Sequence, residues 1–537
     1  MFNEKNRKKG RMTSLTRSFA LLCSIAMIFA AGAAQGQVSE SPPPTAQGVV
    51  VLGEIEHIFV DDMQDMYSAG WIIADGTAVR VPANLLIDTP ANRMTLRDLM
   101  DMAPADCRAN GESGLANTDD CIRSKGLQGG GLQAICNRQP DGFTIAGDVF
   151  INKSLVGNVE GGILPTTLGG YVSYVDYDQG YMVINGTMNE RPSADGGTDK
   201  RGVICRINDP ESRQTVQSGL GCDPANAGNC SPDERFCVDP DNYSMTFATG
   251  YPVCIPSSDV SAPERTSGAD SITGEGDEFC PMWNRQWVGP RERTVPDSRF
   301  FVPIVAGDPI GVEGNFEVVN GVRFFSTYGG TVQYGLKTKD QPDQPDHMIW
   351  AEVEQDTPPF DNARIKSICI AFTTLDTSWV DFYKIHKDPV SGEDIEYPWG
   401  SSVGNIGTRF HGMPPNAGGI MKVIYDVDFL LGAPVRTGYS PCQNLQNAGF
   451  VVCPNGGTFA EEVEVSMPIH REMTGYSRHR SELLPGIFPV DMLGREAQHG
   501  MYLTPSGVGH PEFVEINLNK SSFPFVFDGI PWNIDRR

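Results

Sequence analysis

The sequence predicts a mainly β protein: small meander β-barrel modules, then a C-terminal antiparallel β-sandwich, with disulfide-stapled loop insertions. Three observations lead there. The 537 residues include 59 Gly and 39 Pro and few long stretches of helical period, the profile of short strands joined by many turns. A strand–turn–strand unit occurs twice. The C-terminal third holds runs in which polar and apolar residues alternate, as in a sheet with one buried and one wet face.

The chain opens with an export signal over residues 1–36. Lys5, Arg7, Lys8, Lys9, Arg11 and Arg17 precede an apolar run from Phe19 to Ala34, and Ala34-Gln35-Gly36 suits signal-peptidase cleavage before Gln37. The run is shorter than the roughly 20 residues that span a bilayer. Cys23 is preceded by Leu22 rather than a small residue, which argues against lipidation, and no Arg-Arg pair marks a twin-arginine signal. The predicted location is secreted or extracytoplasmic: periplasm, cell surface or extracellular space. No membrane insertion is expected after cleavage. Residues 37–48, with Pro42-Pro43-Pro44, read as a disordered linker.

Cleavage removes six basic and one acidic side chain, so a net charge of −25 becomes about −30. Nucleic acid and anionic lipid both require basic surface, so neither is an expected partner. Cleavage also leaves twelve of the thirteen cysteines, an even number that allows as many as six disulfides in an oxidising compartment. No pair is spaced Cys-x-x-Cys, which excludes zinc ribbons, thioredoxin-like motifs and c-type haem attachment. Cys442–Cys453 and pairs within 222–254 are the plausible local loops.

Small β-barrel repeats with a Cys-containing insertion are expected over 49–207. Gly53 to Ile58 and Gly70 to Thr77 form the first unit, with an Asp75-Gly76 turn. Gly170 to Val175 and Gly180 to Thr187 form the second, with an Asn185-Gly186 turn. Such pairs favour tight hairpins between twisted strands. A third strand follows each unit, at 78–81 and at 202–207. Thr95 to Met102 is the best short helix, with Thr95 as N-cap. The stretch from Cys107 to Cys136 reads as a disulfide-tied insertion. Residues 208–298 form a Cys-rich loop region. Residues 299–345 hold a third β-hairpin module around Gly314 to Phe325, and 346–537 the sandwich-like domain. Its strands are expected at Ile349 to Glu354, Ala363 to Phe372, Val423 to Phe429, Glu462 to Ile469 and Phe513 to Leu518.

No residue set carries a catalytic signature. Gly400-Ser401-Ser402-Val403-Gly404 matches a nucleophile elbow, but no helical period follows it. The eight histidines include no metal-binding pair. Calcium is the one cofactor the acidic loops suggest, through Asp61, Asp62 and Asp65 or through Asp239, Asp241 and Asn242, because calcium takes six to eight oxygens from such turns. Neither cluster has the Asp-x-Asp-x-Asp-Gly register. Trp283 and Trp287, beside Cys280, are the candidate ligand-binding residues, since tryptophan offers a flat platform to sugars or proteins.

The strand–glycine pattern at 53–81 and 170–207, with Arg206-Ile207-Asn208-Asp209-Pro210 closing it, resembles uncharacterised secreted β-rich bacterial proteins. Their small barrel-like repeats are similar to oligonucleotide/oligosaccharide-binding folds. The resemblance covers about 150 residues and brings no catalytic residues. The expected function is therefore non-catalytic: an exported β-rich protein for binding or structure at the cell surface or extracellular matrix, with a polysaccharide or surface protein as partner. The alternatives are a secreted polymer-acting, carbohydrate-active hydrolase, whose paired carboxylates would leave no motif, and a calcium-dependent adhesion protein.

Overall fold

In the computed structural model the described residues are 47–356, apart from 84, 91, 139–142, 154–165, 193–201, 224–227, 240–242, 261–266, 288–292, 340, 342–343 and 345–346, and strand segments between 364 and 531. Side chains are described as far as Ile349, apart from those of 47, 48, 93, 135, 137, 148, 287 and 293, and again from Phe372 to Leu375. The export signal, most of the linker, and the expected strands at Glu462 to Ile469 and Phe513 to Leu518 lie outside these residues.

The protein is mainly β. In the first unit, β1 (Gln47–Val60) pairs antiparallel with β2 (Gly70–Ala74), and β2 with β3 (Thr77–Val81). On its other edge β1 pairs with β4 (Gly130–Arg138), and β4 with β5 (Thr144–Lys153). Strand β5 then pairs in parallel with β3, so the circuit of pairings returns to its start.

The second unit repeats this circuit. It consists of β6 (Thr166–Asp176), β7 (Tyr181–Ile184), β8 (Val203–Ile207), β9 (Pro309–Val319) and β10 (Val322–Val332), with β8 and β10 parallel. Even the irregularities correspond. The register of β1 shifts between Ile55 and His57, and that of β6 between Val172 and Tyr174. Strands β5 and β10 each carry one extra residue, Gly147 and Tyr328, opposite Ile135/Cys136 and Glu313/Gly314. Inward-facing residues match as well, including Ile55 with Val172, Ile72 with Met182 and Val81 with Ile207, all fully buried. The Asp75-Gly76 hairpin turn has positive φ at both residues, 45° and 71°, which a Cβ-free glycine accepts at the second position without strain.

The hairpin read from sequence as a third module has a different place. Its strands β9 and β10 pair with β6 and β8 and complete the second unit. The tight turn at Asn320-Gly321 is legible locally, whereas the partners of its edges are far away in sequence. The Cys-rich region likewise lies inside this unit, between β8 and β9, where the first unit carries its helical insertion between β3 and β4.

That first insertion contains α1 (Leu96–Asp101), α2 (Ala105–Asn110) and α3 (Asp120–Arg123). Helix α1 starts where the sequence predicts. Thr95 Oγ1 accepts from the Asp98 amide at 3.1 Å and Asp98 Oδ2 from the Thr95 amide at 2.9 Å, a reciprocal cap. Leu96 and Leu99 enter the first core. Replacing Thr95 by Ala is expected to cost about 1 kcal/mol, read as a lower denaturant midpoint at unchanged m-value.

Among the described residues three disulfides form: Cys107–Cys121, Cys222–Cys230 and Cys254–Cys280. Cys205 and Cys237 are buried thiols, so six bridges cannot all form. Cys205 faces the second core as a small apolar side chain, and burial raises both thiols, Cys237 to about 11, which makes them poor nucleophiles. Cys136 belongs to β4 and the first core rather than to the stapled insertion. These pairings suit an oxidising, extracytoplasmic compartment. Among the described residues no helix is long and apolar enough to cross a membrane.

In the C-terminal region, Met348–Asp356, Arg364–Thr373 and Ile420–Asp428 are antiparallel neighbours in a five-stranded sheet. Three of the expected strands lie there. A four-stranded sheet contains Val380–Lys387 and Asp394–Ser401. Ser401 ends that strand, and Ser402 of the elbow-like motif lies outside the described residues.

Candidate ligand-binding face

The outer side of the first unit carries a cluster of aromatic groups around one arginine, exposed at Phe59 and Phe143 and half-buried at Trp71. Register alone aligns Phe59 on β1, Trp71 on β2 and Arg80 on β3 in one cross-strand row, because the pleat sends Ile72 and Val79 inward and their neighbours outward. Phe143, just before β5, packs edge-on against Trp71 with centroids 5.2 Å apart. The Arg80 guanidinium lies over the Trp71 ring at 5.2 Å. It also donates from Nη1 to the Gly70 carbonyl at 3.3 Å and pairs through Nη2 with Asp61 Oδ2 at 2.6 Å. Phe59 and Phe143 are 51% and 48% exposed. Met63, Met66 and Tyr67, in the β1–β2 loop, are exposed as well. Single exposed apolar groups are ordinary, whereas aromatic residues grouped around a cation are a feature enriched at binding surfaces.

The second unit has the same trio at corresponding register positions: Tyr181, Arg206 and Phe324. The Arg206 guanidinium lies 5.1 Å from the Tyr181 centroid and 5.8 Å from that of Phe324. Here all three are buried, at 1%, 0% and 0% exposure. The cover is the chain itself. Arg206 donates to the carbonyls of Gln179 at 2.7 Å, Ser218 at 3.2 Å and Leu220 at 2.6 Å. Leu220 packs on the Tyr181, Val183, Ile204 and Phe324 cluster. Gly180 is required beneath it, since a Cβ there would stand 2.1 Å from the Val216 carbonyl oxygen. Burial lowers Arg206 to about 10 and raises Tyr181 to about 12, so at neutral pH the guanidinium is charged and the phenol is not.

A buried ionic network lies where the two units meet. Lys153 at the end of β5 donates to Asp233 at 2.8 Å and to Glu317 of β9 at 2.7 Å. Arg235 binds both Asp233 oxygens, at 2.8 and 2.9 Å, and the carbonyls of Leu99 and Ser113 in the first insertion. Phe236 and Tyr328 fill the first core from the second unit's side. The two positive and two negative side chains are matched, as burial requires. Asp209 is also buried and its carboxyl is raised by burial. Its Oδ2 accepts from the Gln214 and Thr215 amides, the geometry of a loop organiser.

The residues singled out from the sequence are scattered. Trp283 is exposed and packs edge-on with Phe300 at 5.4 Å. Trp287 lies in the strand Gln286–Trp287, paired with Arg293. Asp61 is held by Arg80, Asp62 Oδ1 accepts from the Gln64 amide, and Asp65 Oδ1 from the Tyr67 amide. Asp239 is buried, while Asp241 and Asn242 lie outside the described residues. Among the described residues no group of three or more His, Cys, Asp or Glu is placed to hold a metal ion. The Trp71 row was missed because Trp71 reads as a strand-starting aromatic, and Arg80 and Phe143 join it only through pairing. No family model matches the chain, and no curated protein sequence does.

Proposed function

We propose that this is an exported, non-catalytic β-rich binding protein of the cell surface or extracellular matrix, taking its partner on the outer face of β1, β2 and β3. The carrying observation is the Trp71–Arg80–Phe143 cluster, half-buried at Trp71 and Arg80 and exposed at Phe143, whose counterpart in the second unit is covered. The closed pairing circuit is that expected of a small five-stranded barrel of the oligonucleotide/oligosaccharide-binding type, whose second and third strands form the usual binding face. A formal net charge of −25 opposes a nucleic-acid partner. A polysaccharide or a surface protein fits an aromatic face better.

The test is fractionation of source cells expressing a Trp71→Ala/Phe143→Ala variant. Both residues are outside the core, so the fold should persist. Association with the surface fraction is expected to fall about tenfold, as when two aromatic anchors are removed. Wild-type partitioning of the variant would sink the proposal.

A further inference from the structure

The second unit supplies its own picture of what such a face accepts. We propose that the Trp71–Arg80–Phe143 face binds a short, glycine-bent peptide segment, with carbonyl oxygens on the Arg80 guanidinium and an aliphatic side chain against the two aromatic rings. This rests on the reading of that face as the binding surface and adds the class of partner.

The argument is an internal comparison. In the second unit the occupant is Gln217-Ser218-Gly219-Leu220-Gly221. Two of its carbonyls, Ser218 and Leu220, converge on Arg206 Nη2, and its one aliphatic side chain, Leu220, enters the aromatic cluster. Its amides are met by the unit below. Ser218 N donates to the Gln179 carbonyl at 3.3 Å, and Leu220 N to Gln179 Oε1 at 3.0 Å. Gly219 and Gly221 have φ of 75° and 76°, which bends the segment onto the surface.

The first unit keeps the arginine and the aromatic rings, has Ala69 where the second has Gln179, and leaves Phe143 48% exposed where Phe324 is buried, with no segment over it among the described residues. Arg80 stands for Arg206, Trp71 for Tyr181, Phe143 for Phe324 and Ile73 for Val183, on the same cross-strand register. Arg80 Nη2, the counterpart of the atom that receives two peptide carbonyls, instead meets the exposed Asp61 carboxylate. An acceptor oxygen therefore already occupies that place, and a peptide carbonyl would replace it. Guanidinium is suited to this role because its planar fork binds two acceptors at once.

The experiment titrates the full-length protein with an end-capped peptide of the sequence Gln217 to Cys222, carrying Cys222→Ser. A cello-oligosaccharide serves as the second ligand. The second face is filled by its own tethered segment, so the free peptide has only the first face. Saturable peptide binding is expected, weakened about tenfold or more by Trp71→Ala and by Arg80→Ala, and by Leu220→Asp in the peptide. Arg80→Lys should retain the charge and lose much of the affinity. Oligosaccharide binding that needs Trp71, without peptide binding, would overturn the peptide assignment and leave the face as a binding surface. Binding of neither ligand, with unchanged surface association of the Trp71→Ala/Phe143→Ala variant, would overturn both. Peptide binding indifferent to Trp71 and Arg80 would also overturn the proposal.

Discussion

Asp233→Ala is expected to destabilise the protein by about 3–5 kcal/mol, the cost of leaving buried cations without their anion. Asp233 is the centre of the network, since both Lys153 and Arg235 bond to its carboxylate and none of the three is more than 2% exposed at the side chain. After the substitution Lys153 retains only Glu317, and Arg235 only backbone carbonyls. Equilibrium urea denaturation checks this, and a loss below about 1 kcal/mol, the range of solvent-exposed ion pairs, would mean that the network is hydrated. The same site predicts an acid limb of stability. Burial opposes ionisation of Asp233, but Arg235 and then Lys153 outweigh it and hold the carboxyl well below its ordinary 3.8. A depressed carboxyl contributes fully above its unfolded value and loses that contribution as pH falls through the folded one. For Lys153, burial opposes the charge, and the Asp233 and Glu317 carboxylates outweigh it, so the ammonium is raised above 10.5. Its contribution is full below that value and is lost as pH rises through the folded one. Stability from this network should thus be flat near neutrality, and Asp233→Asn should blunt the loss on acidification.

The second large effect concerns the staples. Removing Cys254–Cys280 by a double alanine substitution should cost about 3.5 kcal/mol, against about 3 for Cys107–Cys121 and about 2.5 for Cys222–Cys230, following loop-closure entropy. The order follows their sequence separations of 26, 14 and 8. The longest loop has additional support, because Asp277 accepts from the amides of Ser257, Phe279 and Cys280 and fixes the bridge from within. Thermal or urea unfolding of the three double variants measures the ranking. Equal losses, or the largest loss at Cys222–Cys230, would contradict it.

The two repeated units were legible because each is a local pattern: a glycine, an alternating strand, a tight turn and an aromatic-led strand. The capped helix at Thr95 was legible for the same reason, while of the local pairs expected within 222–254 Cys222–Cys230 forms and Cys254 pairs outside the range with Cys280. The hairpin at Asn320-Gly321 shows where such reading ends. Its turn is local, but its membership of the second unit depends on pairing with Thr166–Asp176 and Val203–Ile207.

Sequence by itself determined the β character, the two-fold repetition, the acidity and the disulfide chemistry, since each depends on composition or on neighbours a few residues apart. Tertiary structure alone decided the parallel closure of each unit, the burial of Asp233 beside Lys153 and Glu317, and the exposure of one aromatic–arginine cluster with its twin covered. The closure of the first unit joins residues 65 positions apart, and the Lys153–Glu317 pair joins residues 164 apart. Cross-strand register brings them together, and register is set by pairing energy summed over whole strands, which no single residue carries.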